Sequence, residues 1–252
     1  MAKGNSRLAQ LAADPGRIRA AAVKRLASPM SRLPGLHRLR WRMKSRQEVF
    51  ADIYDSAAWG SEESGSGTGS ELRATETIRE RLPALLAELG VNSLLDAPCG
   101  DWNWMRHVEL GIDQYYGADI VPGVIEANQQ RYGGAGREFT VADLTSDPLP
   151  KVDAILCRDC LVHVSYEDTT QILENFKRTG ATWLLLNTYP EIKHNRNQFT
   201  GRQWRRLNFT LPPFNFPEPV ASMSDGGDVD PSQLAVWRLQ DLPALHAEGS
   251  AH

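Results

Sequence analysis

Residues 93–102 read SLLDAPCGDW: a short apolar run, an acidic residue, a turn marked by Pro98 and Gly100, and a second acidic residue. A run of this length bounded by turn formers is the pattern of a buried strand, here Ser93 to Ala97. Pro98 fixes its own φ and biases Ala97 toward extended backbone, so the strand ends sharply and the chain turns at Cys99 and Gly100. Proline also removes one amide that a ligand at this turn would otherwise meet.

Working outward, the same rhythm repeats. Strands are expected near Tyr115 to Ile120, Glu138 to Ala142, Val152 to Cys157 and Thr182 to Asn187, and helices near Trp102 to Leu110, Pro122 to Arg131 and Tyr166 to Arg178. Ser165 with Asp168 three residues on resembles a capping box at the start of the last helix. Strand–helix alternation at this spacing implies an α/β fold, a mostly parallel sheet with helices on both faces. Upstream, Leu72, Ile78, Leu82, Leu85, Leu86 and Leu89 recur at helical spacing, and Pro83 suggests one helix ending and another beginning. Beyond Tyr189 the rhythm fails, and a final strand near Gln233 to Leu239 is expected to rejoin the sheet antiparallel to the others.

The ends of the strands carry the chemistry. Asp96, Asp119, Asp143 and Asp159 each follow an apolar run. In an open parallel sheet these positions share one edge, where ligands bind. A single strand-end Asp is usually a turn former or helix cap; four in register on one rim repel one another unless the ligand brings donors or positive charge. The first turn holds one glycine, whereas a dinucleotide site uses three, and no Gly-Lys-Ser/Thr occurs, so NAD and P-loop chemistry are disfavoured. An adenosine-type ligand remains. Asp119 lies 19 residues after Gly100, near the ~20-residue separation at which a carboxylate meets a ribose diol, and its two oxygens can accept from both hydroxyls.

These motifs resemble those of the class I S-adenosylmethionine-dependent methyltransferases over about residues 60 to 240. LLDAPCGD resembles the family's first motif, with Pro98 where many members have Gly, and CRDCLVHVS resembles the fourth. The resemblance implies a doubly wound Rossmann-like sheet of about seven strands and S-adenosyl-L-methionine as cofactor. It places Asp96, Ala97, Pro98 and Gly100 against the methionine portion, Asp119 and Ile120 at the ribose, and Asp143 and Leu144 at the adenine. Residues of the fourth motif, Arg158 among them, would face the donor methyl and the acceptor.

His163, four residues beyond Asp159, is the general-base candidate, because an imidazole with a pKa near ~6.5 suits proton removal from a hydroxyl at neutral pH; its bland reading is packing or capping. Asp159 either orients His163 or takes the proton itself. Arg158 either binds an anionic acceptor or pairs with a rim carboxylate. Between Asn195 and Phe216, Arg202, Trp204, Arg205, Arg206, Asn208, Phe214 and Phe216 combine planar donors with aromatic faces, as sugar-binding surfaces do; Arg202, Trp204, Arg205 and Asn208 are the acceptor-binding candidates. Ser61 to Ser70, with four Ser and three Gly, reads as a loop, either a plain linker or a flap over the cofactor. Cys157 and Cys160 form one CxxC without the companion ligands of a zinc site, so packing is the expected role for both and for Cys99, and no residue is assigned to a metal.

The chain has 252 residues, of which 41% are hydrophobic and 23% charged, a composition of one globular domain with extensions. Its apolar runs are far short of a membrane span. Three cysteines argue for a reducing compartment, hence a cytoplasmic location. The net charge of −3 divides into +11 over residues 1–46 and −14 over the rest. The expected organisation is a basic extension (1–46), a Gly/Ser-rich loop with lead-in helices (47–90), a core (91–240) with an acceptor-recognition insert near 190–220, and a tail (241–252). The basic arm allows peripheral contact with an anionic membrane or a nucleic acid, or is a solubilising tail. The expected activity is methyl transfer to a hydroxyl of a small-molecule or glycan acceptor. An RNA or protein acceptor anchored by the arm, and a cofactor-binding module without catalysis, are the alternatives.

Overall fold

The computed structural model describes residues 44–225 and 231–245. The basic stretch up to residue 43 lies outside the described residues, as does most of the 241–252 tail. Seven strands form one sheet: β1 (Ser93–Asp96), β2 (Gln114–Asp119), β3 (Arg137–Val141), β4 (Ala154–Cys157), β5 (Trp183–Thr188), β6 (Ala221–Ser224) and β7 (Gln233–Arg238). Their order is β3-β2-β1-β4-β5-β7-β6. The first five are parallel; β7 runs antiparallel to both β5 and β6. Order reverses between β1 and β4, the switch point at which such sheets bind ligands.

Alternate residues of each central strand supply opposite faces. Leu95, Ile155, Cys157, Leu184, Leu186 and Trp237 pack on one side with Ile172, Leu173 and Phe176 of α4 (Tyr166–Arg178). Leu94, Ala154, Leu156, Leu185 and Val236 pack on the other, with α2 (Glu76–Glu88) and Ile125 of α3 (Pro122–Tyr132). The insert joins the first of these cores: Leu207, Phe209, Phe214 and Phe216 are buried in it, so Phe214 and Phe216 are packing residues rather than an acceptor surface.

Four local expectations are corrected. Pro83 does not divide α2, which is continuous through it. Ile78, Leu82 and Leu86 are fully buried along one stripe, and at about 1.5–3 kcal/mol each they outweigh the ~3 kcal/mol cost of an interior proline. Trp102 to Leu110 forms no α-helix; only Met105–His107 makes a 3-10 turn. Trp102 takes a φ of 58°, which buries its ring on the sheet and lets its indole donate to the Tyr115 hydroxyl at 2.8 Å. At α4, Ser165 caps as expected, its hydroxyl accepting from the Asp168 amide, but Asp168 turns its carboxylate to Arg46 and Thr200 instead of closing a capping box. The last correction is α1 (Arg46–Asp55), an element not foreseen, which opens on a full capping box between Ser45 and Glu48. Arg46 therefore belongs to the folded body and not to the basic arm. No helix among the described residues is long and apolar enough to cross a membrane.

Candidate active site

The four strand-end carboxylates meet. Asp96, Asp119, Asp143 and Asp159 all line one cavity of about 900 Å³, open mouth included, with Pro98, Gly100, Ile120, Leu144, Arg158 and His163. Ala97 lies behind the turn in the core, fully buried, with its amide donating to Leu156 O at 2.9 Å.

Each carboxylate has its own setting. Asp96 accepts from the Tyr115 hydroxyl at 2.6 Å. Burial pushes its pKa up to about 7 against that hydrogen bond, which lowers it. Asp119 receives the amides of Val121 and Gly100 at 3.0 and 3.2 Å, and burial, opposed by those amides, sets its pKa at about 6. Asp143 is saturated: Oδ1 accepts from the amide and hydroxyl of Thr145, and Oδ2 from the Arg46 Nε at 3.0 Å. Arg46 also reaches Asp168 at 3.1 Å and so ties α1 across the rim. Asp159, at φ 53°, is held by Asn187, whose side-chain amide donates to Oδ1 at 2.8 Å, and by Arg158 at Oδ2, 3.0 Å.

Arg158 is a pairing residue. Its buried guanidinium bonds Asp159 and Asp225, donates to Gly69 O at 3.0 Å and lies over the Trp104 ring. The Gly/Ser stretch docks through the same groups. Gly69 comes so close to Asp159 that a Cβ there would lie 2.7 Å from its Oδ2. Ser64, Gly65 and Ser66 all donate to the Asp101 carboxylate, and the Ser66 hydroxyl accepts from the Asp101 amide. Ser61 to Ser70 is thus a docked wall of the cavity, joined by Phe50, Tyr54 and Trp59. Gly100, at φ 55°, leaves no room for a side chain beside Ser66. We expect Gly100→Ala to displace that wall and to strain the turn by about 1–2 kcal/mol, read as a lower denaturation midpoint together with weaker S-adenosylhomocysteine binding.

His163 sits where this cavity meets a second one, which it shares with Trp59, Ser66, Arg158 and Asp159. Its Nδ1 is 2.9 Å from the Gln203 carbonyl; a carbonyl only accepts, so Nδ1 carries the proton and Nε2 is an acceptor without a partner among the described residues. Asp159 therefore influences the ring through charge and not through a hydrogen bond. The His163 pKa is lowered from its usual 6.5, chiefly by burial; the Gln203 bond and Asp159 oppose this, and Arg205 reinforces it.

The acceptor candidates separate. Arg202 and Trp204 line the second cavity. Arg205 lines neither: its guanidinium lies over the Tyr166 ring, its side-chain nitrogens are buried without a hydrogen-bond partner among the described residues, and burial lowers its pKa to about 10. Asn208 also lines neither. It is buried in the insert, where its amide donates to the carbonyls of Pro190 and Ile192 and its oxygen accepts from Thr210. Sequence reasoning missed the contributions of Arg46, Phe50, Tyr54 and Trp59; the Ser45–Glu48 capping box was the available signal for the helix that carries three of them.

Comparison with known proteins agrees with this geometry. Residues 94–181, from β1 to the end of α4, match the family model described as a methyltransferase domain. Over that stretch the chain is similar to a methyltransferase domain. No curated protein sequence matches the chain. Among solved structures, the chain is similar in fold to the magnesium protoporphyrin IX methyltransferase of Synechocystis PCC 6803 with bound SAM, at 14% identity and a TM-score of 0.51 over 77% of this chain and 96% of that one. Human N-acetylserotonin methyltransferase in complex with SAM matches at 12% identity and a TM-score of 0.47; the alignment covers 77% of this chain but only 55% of that protein.

Proposed function

We propose that this methyltransferase domain transfers a methyl group from S-adenosylmethionine to a hydroxyl oxygen of a small-molecule or glycan acceptor. The observation that carries the reading is the placement of His163, whose Nε2 has no partner among the described residues, at the junction of the carboxylate-lined cavity and the second one.

The residues fit the cofactor. Asp119 lines the cavity and, beyond its two backbone amides, has lone pairs left to accept from a ribose diol. Trp59 Nε1 is a buried donor without a partner among the described residues and belongs to a side chain that lines both cavities. Ile120 and Leu144 offer apolar edges for a base. When bound, the cofactor supplies an electrophilic methyl on a sulfonium. The structure similar to this domain from Synechocystis holds that same molecule, which supports the reading.

The protein's own part is positioning and proton removal. The cavity walls hold donor and acceptor in line, the effect from which much of the rate of such transfers derives. His163 Nε2 takes the hydroxyl proton. Because its pKa lies below 6.5 in the folded protein, the imidazole is neutral at pH 7 and loses its basic form only as pH falls through that lowered value. In the test, kcat for methyl transfer is flat near neutrality and falls on acidification below about 6.5, and the acid limb disappears in His163→Gln. Affinity for S-adenosylhomocysteine falls separately as Asp119 takes up its proton below about 6, approaching tenfold per pH unit. A kcat that instead rises steadily through pH 8 to 10 would exclude His163 as the base. A cytoplasmic location and the use of the basic arm stand as further parts of the proposal, tested by fractionation of cells with and without residues 1–43.

A further inference from the structure

The second cavity is the larger of the two, and its charged groups are unevenly committed. Of its acidic residues, Glu71 accepts from the Ser61 hydroxyl at 2.7 Å, Glu76 stands in the first turn of α2, where a negative charge faces the positive end of the helix, and Asp159 is taken by Asn187 and Arg158. Of its cations, Arg158 is spent on Asp159, Asp225 and Gly69. Arg73 and Arg202 are different. Both line the cavity, both are exposed, and among the described residues neither has a hydrogen bond or ion pair. They come from separate segments, one before α2 and one in the insert. Beside them Trp204, 47% exposed, stands edge-on to Tyr189, with ring centroids 5.8 Å apart. A large, half-exposed aromatic on a cavity wall is a surface on which a planar or sugar ring packs.

The folded part of the chain is acidic overall, so two arginines left unpaired beside an aromatic plate, in the chamber that ends at the base, are not what charge balance within the fold would place there. We propose that the acceptor carries an acidic group, a carboxylate or a phosphate, held by Arg73 and Arg202 while its ring lies on Trp204 and its hydroxyl meets His163 Nε2. This inference rests on the methyl-transfer reading and specifies its substrate class. A guanidinium can hold either anion through two parallel hydrogen bonds, so the source of the charge is left to the experiment.

The test uses the full-length protein saturated with S-adenosylhomocysteine and three sugars of matched ring: D-glucuronate, D-glucose 6-phosphate and D-glucose, titrated with tryptophan fluorescence as the readout. The expected result is that at least one anionic sugar binds ten times or more tightly than glucose and that its binding weakens with salt. The double variant Arg73→Gln/Arg202→Gln abolishes that preference, whereas Arg131→Gln on α3 keeps it. S-adenosylhomocysteine affinity is the same in all. Preference for glucuronate assigns a carboxylate, and preference for the phosphate ester assigns a phosphate. Equal binding of the three sugars, no binding of either anion, or a preference that survives in the double variant overturns the acidic acceptor. His163→Ala keeps the anion preference while losing turnover, which separates this site from the base. A folded protein that does not take up S-adenosylhomocysteine at all would remove the methyl-transfer reading and this inference with it.

Discussion

Replacing His163 with alanine is expected to lower kcat for methyl transfer by about 10²–10⁴-fold, the usual worth of a positioned general base, while S-adenosylhomocysteine binds as before. The expectation follows from three contacts. The Gln203 carbonyl fixes the proton on Nδ1, the amide of Gly201 donates to the His163 carbonyl at 2.9 Å and holds the insert against this turn, and the ring stands 5.2 Å from Trp59 at the junction of the two cavities. A packing residue would behave otherwise: its loss would lower the denaturation midpoint, and a glutamine filling the same space would restore activity. Single-turnover kinetics of His163→Ala and His163→Gln, with thermal unfolding of both, separate the two. The alternative of a cofactor-binding module without catalysis requires that neither variant change any turnover.

The second large effect is at Asp119. Removing its carboxylate takes away the acceptor proposed for two ribose hydroxyls, and hydrogen bonds to a charged group contribute about 1.5–3 kcal/mol each. Asp119→Ala should therefore weaken S-adenosylhomocysteine by at least about 100-fold. The same change orphans the Gly100 and Val121 amides, which donate to different oxygens, so Asp119→Asn is the companion: it keeps an oxygen for one of the two amides, fills the same space and should fold while still losing most of the affinity. Equilibrium dialysis of both variants reads the effect. In the ligand-free protein the carboxylate is a cost, because its pKa of about 6 stands above the usual 3.8. Folding is weakened as pH rises from about 4 to 6, and a ligand that donates to the ionised form recovers that loss. Relative to Asp119→Asn, ligand-free wild-type protein should lose stability over that interval, measured by denaturant unfolding at several pH values.

The sheet was legible because its strands are short apolar runs punctuated by Asp, Pro and Gly, and that same punctuation located the rim carboxylates. The turn Asp96 to Asp101 was readable down to the residue that takes a positive φ, Gly100. What the sequence did not show depends on contacts between distant segments. Trp102 abandons helix because its indole has a partner 13 residues away on β2. The Gly/Ser stretch looked like a linker by composition, yet its hydroxyls and amides converge on Asp101, more than thirty residues on. β6 escaped notice because ASMS is only four residues long, and its half-buried Ala221 and Met223 alternating with exposed serines make too short a pattern to stand out. α1 was missed because the lead-in helices were sought only from Leu72 onward, although its capping box is local and its buried Val49 and Ile53 have helical spacing. Arg205 and Asn208 share the composition of a binding surface with Arg202 and Trp204; only the path of the insert separates them.

The central claim, that the carboxylate-lined cavity at the sheet edge is an S-adenosylmethionine site, is tested most directly by calorimetric titration of S-adenosylhomocysteine into the purified protein beside a titration of NAD. The account predicts saturable binding at one site per chain and no heat from NAD. Absence of binding in a sample shown by circular dichroism to be folded, or equal binding of NAD, would contradict it.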